Sequence, residues 1–441
     1  MTREQPGHII VVGAGIAGLT AAYRLSKAGL RVTVLERENR VGGRMSTDRV
    51  AGMVIDRGAQ FLSTAYSVLP GLARELGLSE LVPTSPCVAV SYKRQLRQLQ
   101  SGYPLSPVSS GLLDPLSFLR LGYQRWRMKG EIAPLSLTDY GAWHEFDDED
   151  ALSWSLSRFG ARATNDLLEP MLHGFYFQTL RGNSRALLMA AMAFAYREPV
   201  TATIAGGIGV ITEALARMVP VTLSSAVNSV RVGENGVTVM TDERQIEGDY
   251  VVLATTASVA ARLYAGADAT ERALMATPYS ATINIAIATT PDYRVPARLA
   301  NVYGILLTQT DRQRLAAIAI ERNKSPDRVA EGELFDVMLG NDEAEEAMAL
   351  PDDAILTRVM TELEVYFPDL SRRMAWARVM RWPEAIPRSP VGRSRTLHGY
   401  RNDDQRQRKV FLVGDYMGFP WTDSAAATGI WAADQIIAQR R

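Results

Sequence analysis

An α/β fold of the Rossmann-like kind is predicted by three observations near the start of this 441-residue chain. The run His8–Val12 is short and apolar and stops at Gly13, as a buried parallel strand does. Ile16–Ala28 carries Ile16, Leu19, Ala22, Tyr23 and Leu25 at helical spacing, and Gly29 stands where a helix C-cap belongs. Arg31–Leu35 is a second strand, with Val32, Val34 and Leu35 apolar. A right-handed crossover through the helix makes the two strands parallel neighbours.

Further along, Leu69–Leu76 has the pattern of a short helix, and Ala151–Phe159 opens a helical stretch expected to run to about Met192. Residues 205–219 read as a glycine turn, Ala-Gly-Gly-Ile-Gly, feeding a helix. Val227–Val232 and Val237–Thr241 flank Gly-Glu-Asn-Gly, a hairpin signature. Asp249–Ala254 is another buried strand, Ala281–Ala288 alternates as a strand, and Ala354–Phe367 is an amphipathic helix. Lys409–Val413 is a final buried strand into Gly414, followed by a helix over about Ala425–Ala438. A strand, a glycine and a helix thus stand at each end, which places both ends in one domain. There is no internal repeat and no low-complexity linker.

At roughly 150 residues per domain the length suggests two or three domains. Apolar residues make up 47% and charged residues 22%, which excludes a disordered, fibrous or coiled-coil chain. Lys and Arg number 48, as do Asp and Glu, so the balance gives no reason to expect nucleic acid. The charge is uneven locally. Residues 91–130 hold seven basic residues (Lys93, Arg94, Arg97, Arg120, Arg125, Arg127, Lys129) against Asp114 alone, and residues 131–150 hold seven acidic ones and no Lys or Arg. Neighbouring blocks of opposite sign are expected to offset each other on the surface. Cys87 is the only cysteine, so an internal disulfide and a Cys-based zinc site are excluded and a reducing compartment fits. His8, His144, His173 and His398 are far apart in sequence, and no metal site is expected. No run approaches about 18 uninterrupted apolar residues, so no segment reads as a membrane span and a cytoplasmic location is expected.

The most informative motif is Gly13-Ala14-Gly15-Ile16-Ala17-Gly18, a G-x-G-x-x-G at a strand-to-helix turn. Its first glycine permits the turn, the second lets a pyrophosphate approach the backbone, and the third allows close helix–strand contact. Glu36 follows at the end of the second strand, about 20 residues on, where an acid binds ribose hydroxyls, and Arg37 stands beside it. Arg40-Val41-Gly42-Gly43-Arg44 then offers a second close pass of backbone by phosphate, with Arg44 supplying bidentate donors.

The stretch Gly13–Arg44 resembles the N-terminus of the FAD-dependent superfamily of flavin amine oxidases, protoporphyrinogen oxidases and carotenoid-type desaturases. The resemblance extends over most of the chain, through Asp56–Phe61, Gly206–Gly209 with Ala226-Val227, Val251–Ala254, Arg381–Pro387, Val413–Asp415 and Trp421–Ala425. It implies a discontinuous FAD-binding domain over 1–80, 200–275 and 390–441, and a mixed α+β substrate-binding domain over 81–199 and 276–389. It assigns Gly13, Gly15, Ala17, Gly18, Glu36, Arg37, Gly43 and Arg44 to the cofactor. Gly58, Ala59, Gln60 and Phe61 would pass the isoalloxazine ring, and Val227 would contact adenine. Gly414 and Asp415 would reach the ribityl and phosphate region, and Thr422–Ala425 would open a helix facing the flavin N1/O2 edge. No cysteine lies near the C-terminal motif, so FAD is expected to be non-covalent.

The branch of the superfamily is read from the middle of the chain. Asp150–Gly160 and Glu169–Phe177 are similar to the substrate-domain helix of protoporphyrinogen oxidases, and His173, Phe175, Tyr176 and Phe177 are candidates for an apolar pocket wall. Amine oxidases commonly carry a lysine on the strand matching Thr282–Thr289, and none is present there. The expected reaction is hydride removal from a C–H bond of a bulky, largely apolar substrate, desaturating C–C or C–N, with oxygen or another acceptor reoxidising the flavin. Trp421, Trp382, Gln60 and Phe61 are the candidate walls near the ring, and His173 is a candidate base. Two alternatives stand beside this: an amine oxidase of specialised metabolism without the lysine, and a redox-neutral isomerase or flavin-binding partner protein. The basic and aromatic run Leu112–Lys129 fits a helix that caps a cavity, with peripheral contact to an acidic bilayer as its second reading.

Overall fold

The computed structural model describes residues 7–197, 200–234, 236–403 and 407–440. His8–Val12 and Arg31–Leu35 pair in parallel, with Ile16–Lys27 as the helix between them. Three remote segments complete this sheet. Val221–Thr222 lies beside Arg31–Leu35, Tyr250–Leu253 beside His8–Val12, and Val410–Leu412 beyond Tyr250–Leu253, all in parallel. The strand order therefore reverses at His8–Val12, and the turn Gly13–Gly18 leaves the sheet at that switch point, where open α/β sheets hold their ligands. The closing helix Thr422–Gln439 packs against Ile16–Lys27, so the two chain ends meet in one layer.

The second layer is a seven-stranded sheet. Its order is Met374–Pro387, Tyr279–Thr289, Leu334–Leu339, Leu315–Ile320, Val302–Leu307, Cys87–Tyr92 and Gln95–Gln100. Neighbours are antiparallel except Val302–Leu307 and Cys87–Tyr92, which run parallel. The sequence predicts only Ala281–Ala288 among these. The three central strands are buried along their whole length, so they lack the period of two that marks a strand with one wet face.

Two other expectations are corrected. The helical stretch from Ala151 does not run to Met192. It breaks at Gly160 (φ 81°) and again at Phe177 (φ 58°), and Ser184 caps a separate helix, Arg185–Ala193, by accepting from the Ala186 N–H. The two charge blocks do not offset each other. Among the described residues Asp148 pairs with Arg185 and Asp139 with Arg401, while Asp150 caps the helix Ala151–Phe159. The basic residues of 91–130 are left without acidic partners from that block.

A buried ionic knot ties the two layers together. The Asp56 Oδ1 accepts from the Thr47 hydroxyl at 2.7 Å and from the Ile208 N–H at 3.0 Å. Its Oδ2 meets Arg328 at 2.7 Å and Lys324 at 3.2 Å. Gly207 is needed here, because its φ is 93° and a Cβ would come within 2.4 Å of Thr47 and 2.9 Å of Asp56. Lys324 also reaches Glu321 at 3.1 Å, and Asp336 stands in the same fully buried cluster. Burial works against the Asp56 charge, but Arg328 and Lys324 hold its carboxyl below the usual range. Burial, with Glu321 nearby, pushes Asp336 well up. A protonated Asp336 leaves two cations facing two carboxylates.

Replacing Asp56 by Ala strands two buried cations, and chemical denaturation should report a loss of about 3–5 kcal/mol; a loss below about 1 kcal/mol would mean the knot is not structural. Asp336 has the opposite sign. Its folded pKa is raised, so its contribution is present at acid pH and is lost as pH rises from about 4 towards the folded value, at roughly 1.4 kcal/mol per pH unit. Asp336→Asn should flatten that decline in denaturation midpoints above pH ~5; an unchanged pH slope would contradict a protonated Asp336.

Candidate active site

A cavity of about 630 Å³ lies between the two layers, reached by residues from the switch point, from both sheets and from the helices of 115–193. At its sheet end the first helix begins at Gly15, and the closing helix begins after Trp421. Neither helix has a side-chain cap at its N-terminus. Gly15, Ile16 and Ala17 of the first and Thr422 and Ala425 of the second line the cavity. Two sets of unpaired N–H groups and two positive dipole ends therefore face one space.

That space is kept open by glycine. A Cβ added to Gly15 would meet nothing within 4 Å, and one on Gly43 would meet only the Gly15 Cα at 4.0 Å. The Gly42 N–H donates to the Ala14 carbonyl at 2.8 Å, which holds the second glycine loop against the first. A cradle that backbone lines and no side chain fills fits the pyrophosphate of a dinucleotide. Glu36 stands just behind it, its Oε2 accepting from the Ala14 N–H at 2.7 Å and its Oε1 from the Glu38 N–H at 2.9 Å.

The other cofactor candidates divide into two groups. Arg44, Gly58, Ala59, Gln60, Phe61, Gly414 and Asp415 join the cavity wall. Gly13 and Gly18 act by packing, since a Cβ would come within 2.7 Å of the Ala254 carbonyl at Gly13 and 2.1 Å of the Gly13 carbonyl at Gly18. Val227 opens a strand just after Ser225, whose N–H donates to the Glu36 carbonyl at 2.8 Å. Arg37 turns outward to pair with Glu38 on the surface, so it does not join the wall. Arg44 is already engaged: it grips Asp415 with two bonds of 2.5 and 3.1 Å and donates to the Ala385 carbonyl at 2.8 Å. Its charge is met by Asp415 while it stands on the cavity wall.

The far end of the cavity is aromatic and oriented by backbone. Trp382 donates its indole N–H to the Arg57 carbonyl and Trp421 donates to the Leu137 carbonyl, each at 2.8 Å. Trp421 stacks on Phe419 at 4.3 Å, and Phe61 meets the edge of Phe175 at 5.3 Å. The amide of Gln60 is locked, its Nε2 donating to the Asp56 carbonyl at 3.0 Å and its Oε1 accepting from Lys324 at 3.1 Å. Phe175, Tyr176 and Phe177 line the wall, but His173 does not: its ring lies beside Gly340. Burial, with Arg312 nearby, pushes that imidazole down to about 3, so it is neutral and has no route to a substrate.

The charged side chains on the wall are Arg44, Asp415 and Arg125. Tyr66, Tyr176 and Tyr303 add phenols that burial pushes up, which keeps them neutral donors. The strand Tyr279–Thr289 carries Asn284 beside the Arg57 carbonyl, at 3.3 Å. Lys324 reaches the back of Gln60 from a different segment, and sequence reading missed it because its partner Asp56 lies 268 residues away.

The family model for flavin-containing amine oxidoreductases matches residues 16–437. A coproporphyrinogen III oxidase of Mycobacterium leprae is 27% identical to the chain, over 97% of this chain and 98% of its own. Cyclohexylamine oxidase from Brevibacterium oxydans has the same fold, with a TM-score of 0.77 at 17% identity, covering 99% of this chain and 100% of its own. A fatty acid isomerase from P. acnes matches with a TM-score of 0.72 at 16% identity, over 98% of each chain.

Glu36→Ala should lower flavin retention by roughly ten- to a hundredfold, since it removes a carboxylate held by two backbone donors, while circular dichroism stays unchanged. Equal flavin content after gel filtration of the variant and the parent would remove Glu36 from the site.

Proposed function

Because the chain belongs to the flavin-containing amine oxidoreductase family and is an FAD-dependent oxidoreductase of CH–NH or CH–CH donors with non-covalent FAD, we propose that it desaturates a bulky, largely apolar substrate at C–C or C–N, in the manner of its porphyrinogen-oxidising relatives. The observation that carries this reading is the makeup of the cavity wall. Among the described residues its charged side chains are Arg44, Asp415 and Arg125, and Asp415 is held by Arg44. An apolar wall strongly favours a substrate that gives up little hydration on entry.

FAD supplies a two-electron acceptor for the hydride that leaves the substrate C–H bond. The protein's part is orientation and exclusion of water. Trp382 and Trp421 hold flat apolar surfaces at angles fixed by their indole N–H bonds. Gln60 is locked from behind by Lys324 and from beside by the Asp56 carbonyl. The closing helix directs its unpaired N–H groups to the cavity, where they stabilise negative charge. Among the described residues the wall holds no lysine, histidine or glutamate, and in this proposal the second proton leaves from a substrate nitrogen or to solvent as the product departs. Oxygen is the acceptor in this proposal, and two electrons and two protons convert it to hydrogen peroxide.

Amine oxidation is the second reading, and the paired tryptophan walls favour it, since aromatic faces hold an uncharged amine well. An anaerobic flavin-bleaching assay separates the two. Porphyrinogen-like or polyene compounds should bleach the flavin, while hydrophobic amines and amino acids leave it oxidised. Bleaching by the amine panel alone would transfer the protein to the amine-oxidising branch. Double-bond migration in a polyene without oxygen uptake would instead mark a redox-neutral isomerase.

A further inference from the structure

Outside the active-site cavity, a smaller cleft of about 90 Å³ opens between the helices Pro115–Ile132, Ala151–Phe159 and Arg185–Ala193. Gln124, Arg127 and Glu131 reach it from one face of the first helix, since they recur at steps of three and four residues. Arg158 reaches it from the last turn of the second helix, and Arg185 from the first turn of the third. The buried ring of Trp154 and the side chain of Met189 complete the wall. The volume suits several waters or one small oxyanion.

The charge of this cleft is unbalanced. Among the described residues three guanidinium groups meet there against the carboxylate of Glu131. Neither Arg127 nor Arg158 has an acidic partner among the described residues, and Glu131, four residues from Arg127, pairs with neither. Arg185 is neutralised along one edge. Its Nε and Nη2 donate to Asp148 at 2.5 and 3.1 Å, while its Nη1 meets only the thioether sulfur of Met189, at 3.9 Å on the cleft wall. A thioether is a weak acceptor, so that N–H group keeps its capacity for a stronger one. Arg185 also opens its helix, where the dipole is positive as well. Cations brought together from three helices repel one another, and an anion between them removes the repulsion.

Glu131 says which anion. A carboxylate beside a bound oxyanion repels it, unless the oxyanion brings a proton that the carboxylate can accept. Inorganic phosphate at neutral pH keeps at least one P–O–H group, whereas sulfate keeps none. Hydrogen phosphate satisfies both signs: its bare oxygens accept from the arginines and from the Gln124 amide, and its hydroxyl donates to Glu131.

We propose that the cleft binds inorganic hydrogen phosphate, with Arg127, Arg158 and Arg185 as donors and Glu131 as the acceptor that excludes sulfate. Two of its three helices face the active-site cavity through Leu121, Leu188 and Met192, so bound phosphate braces that wall.

The test is calorimetric titration of the FAD-loaded protein with inorganic phosphate and, separately, with sulfate. With FAD bound the glycine cradle is taken, and the cleft is the site that phosphate reports. One phosphate should bind per chain, at least roughly tenfold more tightly than sulfate, and should raise the melting temperature. Arg127→Gln with Arg158→Gln should weaken phosphate binding by roughly ten- to a hundredfold. Flavin content and the melting temperature in phosphate-free buffer should stay unchanged in that variant, because both side chains are exposed. Glu131→Gln should let sulfate bind as well as phosphate does. Absence of phosphate binding by the parent would overturn the proposal, as would equal affinity of the parent for the two anions or undiminished binding by the arginine double variant. An unchanged preference for phosphate in Glu131→Gln would overturn it too.

Discussion

One buried carboxylate, Asp56, holds segments that lie far apart in the chain. Its two oxygens join the strand of Thr47, the glycine turn at Ile208 and the cationic pair Lys324 and Arg328. Its own carbonyl then takes the Gln60 amide, four residues on, and Lys324 takes the other end of that amide. The position of Gln60 on the cavity wall is thus set from two directions by the same knot. Such a cluster is costly to assemble, because each charge loses its water, and it is worth having only when the charges find each other with good geometry.

The legibility of the fold follows from where water is. The first strand, helix and strand carry turn glycines and a helical period, and they stand as read, within a residue or so of the expected bounds. The hairpin Val227–Gly233 and Gly236–Thr241 was equally readable, because Gly-Glu-Asn-Gly separates two valine-rich runs. Val302–Leu307, Leu315–Ile320 and Leu334–Leu339 were not, because strands covered on both faces spell continuous apolar runs that suit a helix as well. The break at Phe177 was hidden for another reason. A non-glycine residue in the left-handed region leaves no mark in the sequence, and the surrounding helices hold it there.

The candidate site shows the same division. Residues whose role is carried by backbone, such as Gly15 and Gly43, were legible because only glycine leaves that space open. Residues whose role depends on a partner were not. Arg44 is legible as a cavity residue from its place beside two glycines, but its pairing with Asp415, far along the chain, is not. Lys324 and Arg328 belong to a short surface-like sequence, Glu-Arg-Asn-Lys-Ser-Pro-Asp-Arg, and nothing local says that these two side chains are fully buried. His173 illustrates the converse: a histidine among aromatic residues reads as a pocket base, but a helix turns its neighbours Leu172 and Gly174 to the cavity and carries the ring away.

Among the described residues of the cavity wall there is no lysine, histidine or glutamate, and the one carboxylate, Asp415, is held by Arg44. Desolvation in an apolar wall would raise the cost of a charged substrate, and the phenols of Tyr66, Tyr176 and Tyr303 are held neutral by the same desolvation. The absence of a lysine on Tyr279–Thr289 and the removal of His173 from the wall act together in this respect, since each would have supplied nitrogen basicity next to the substrate. At the sheet end two helix N-termini and the Arg44–Asp415 pair stand, and the described charged residue elsewhere on the wall is Arg125.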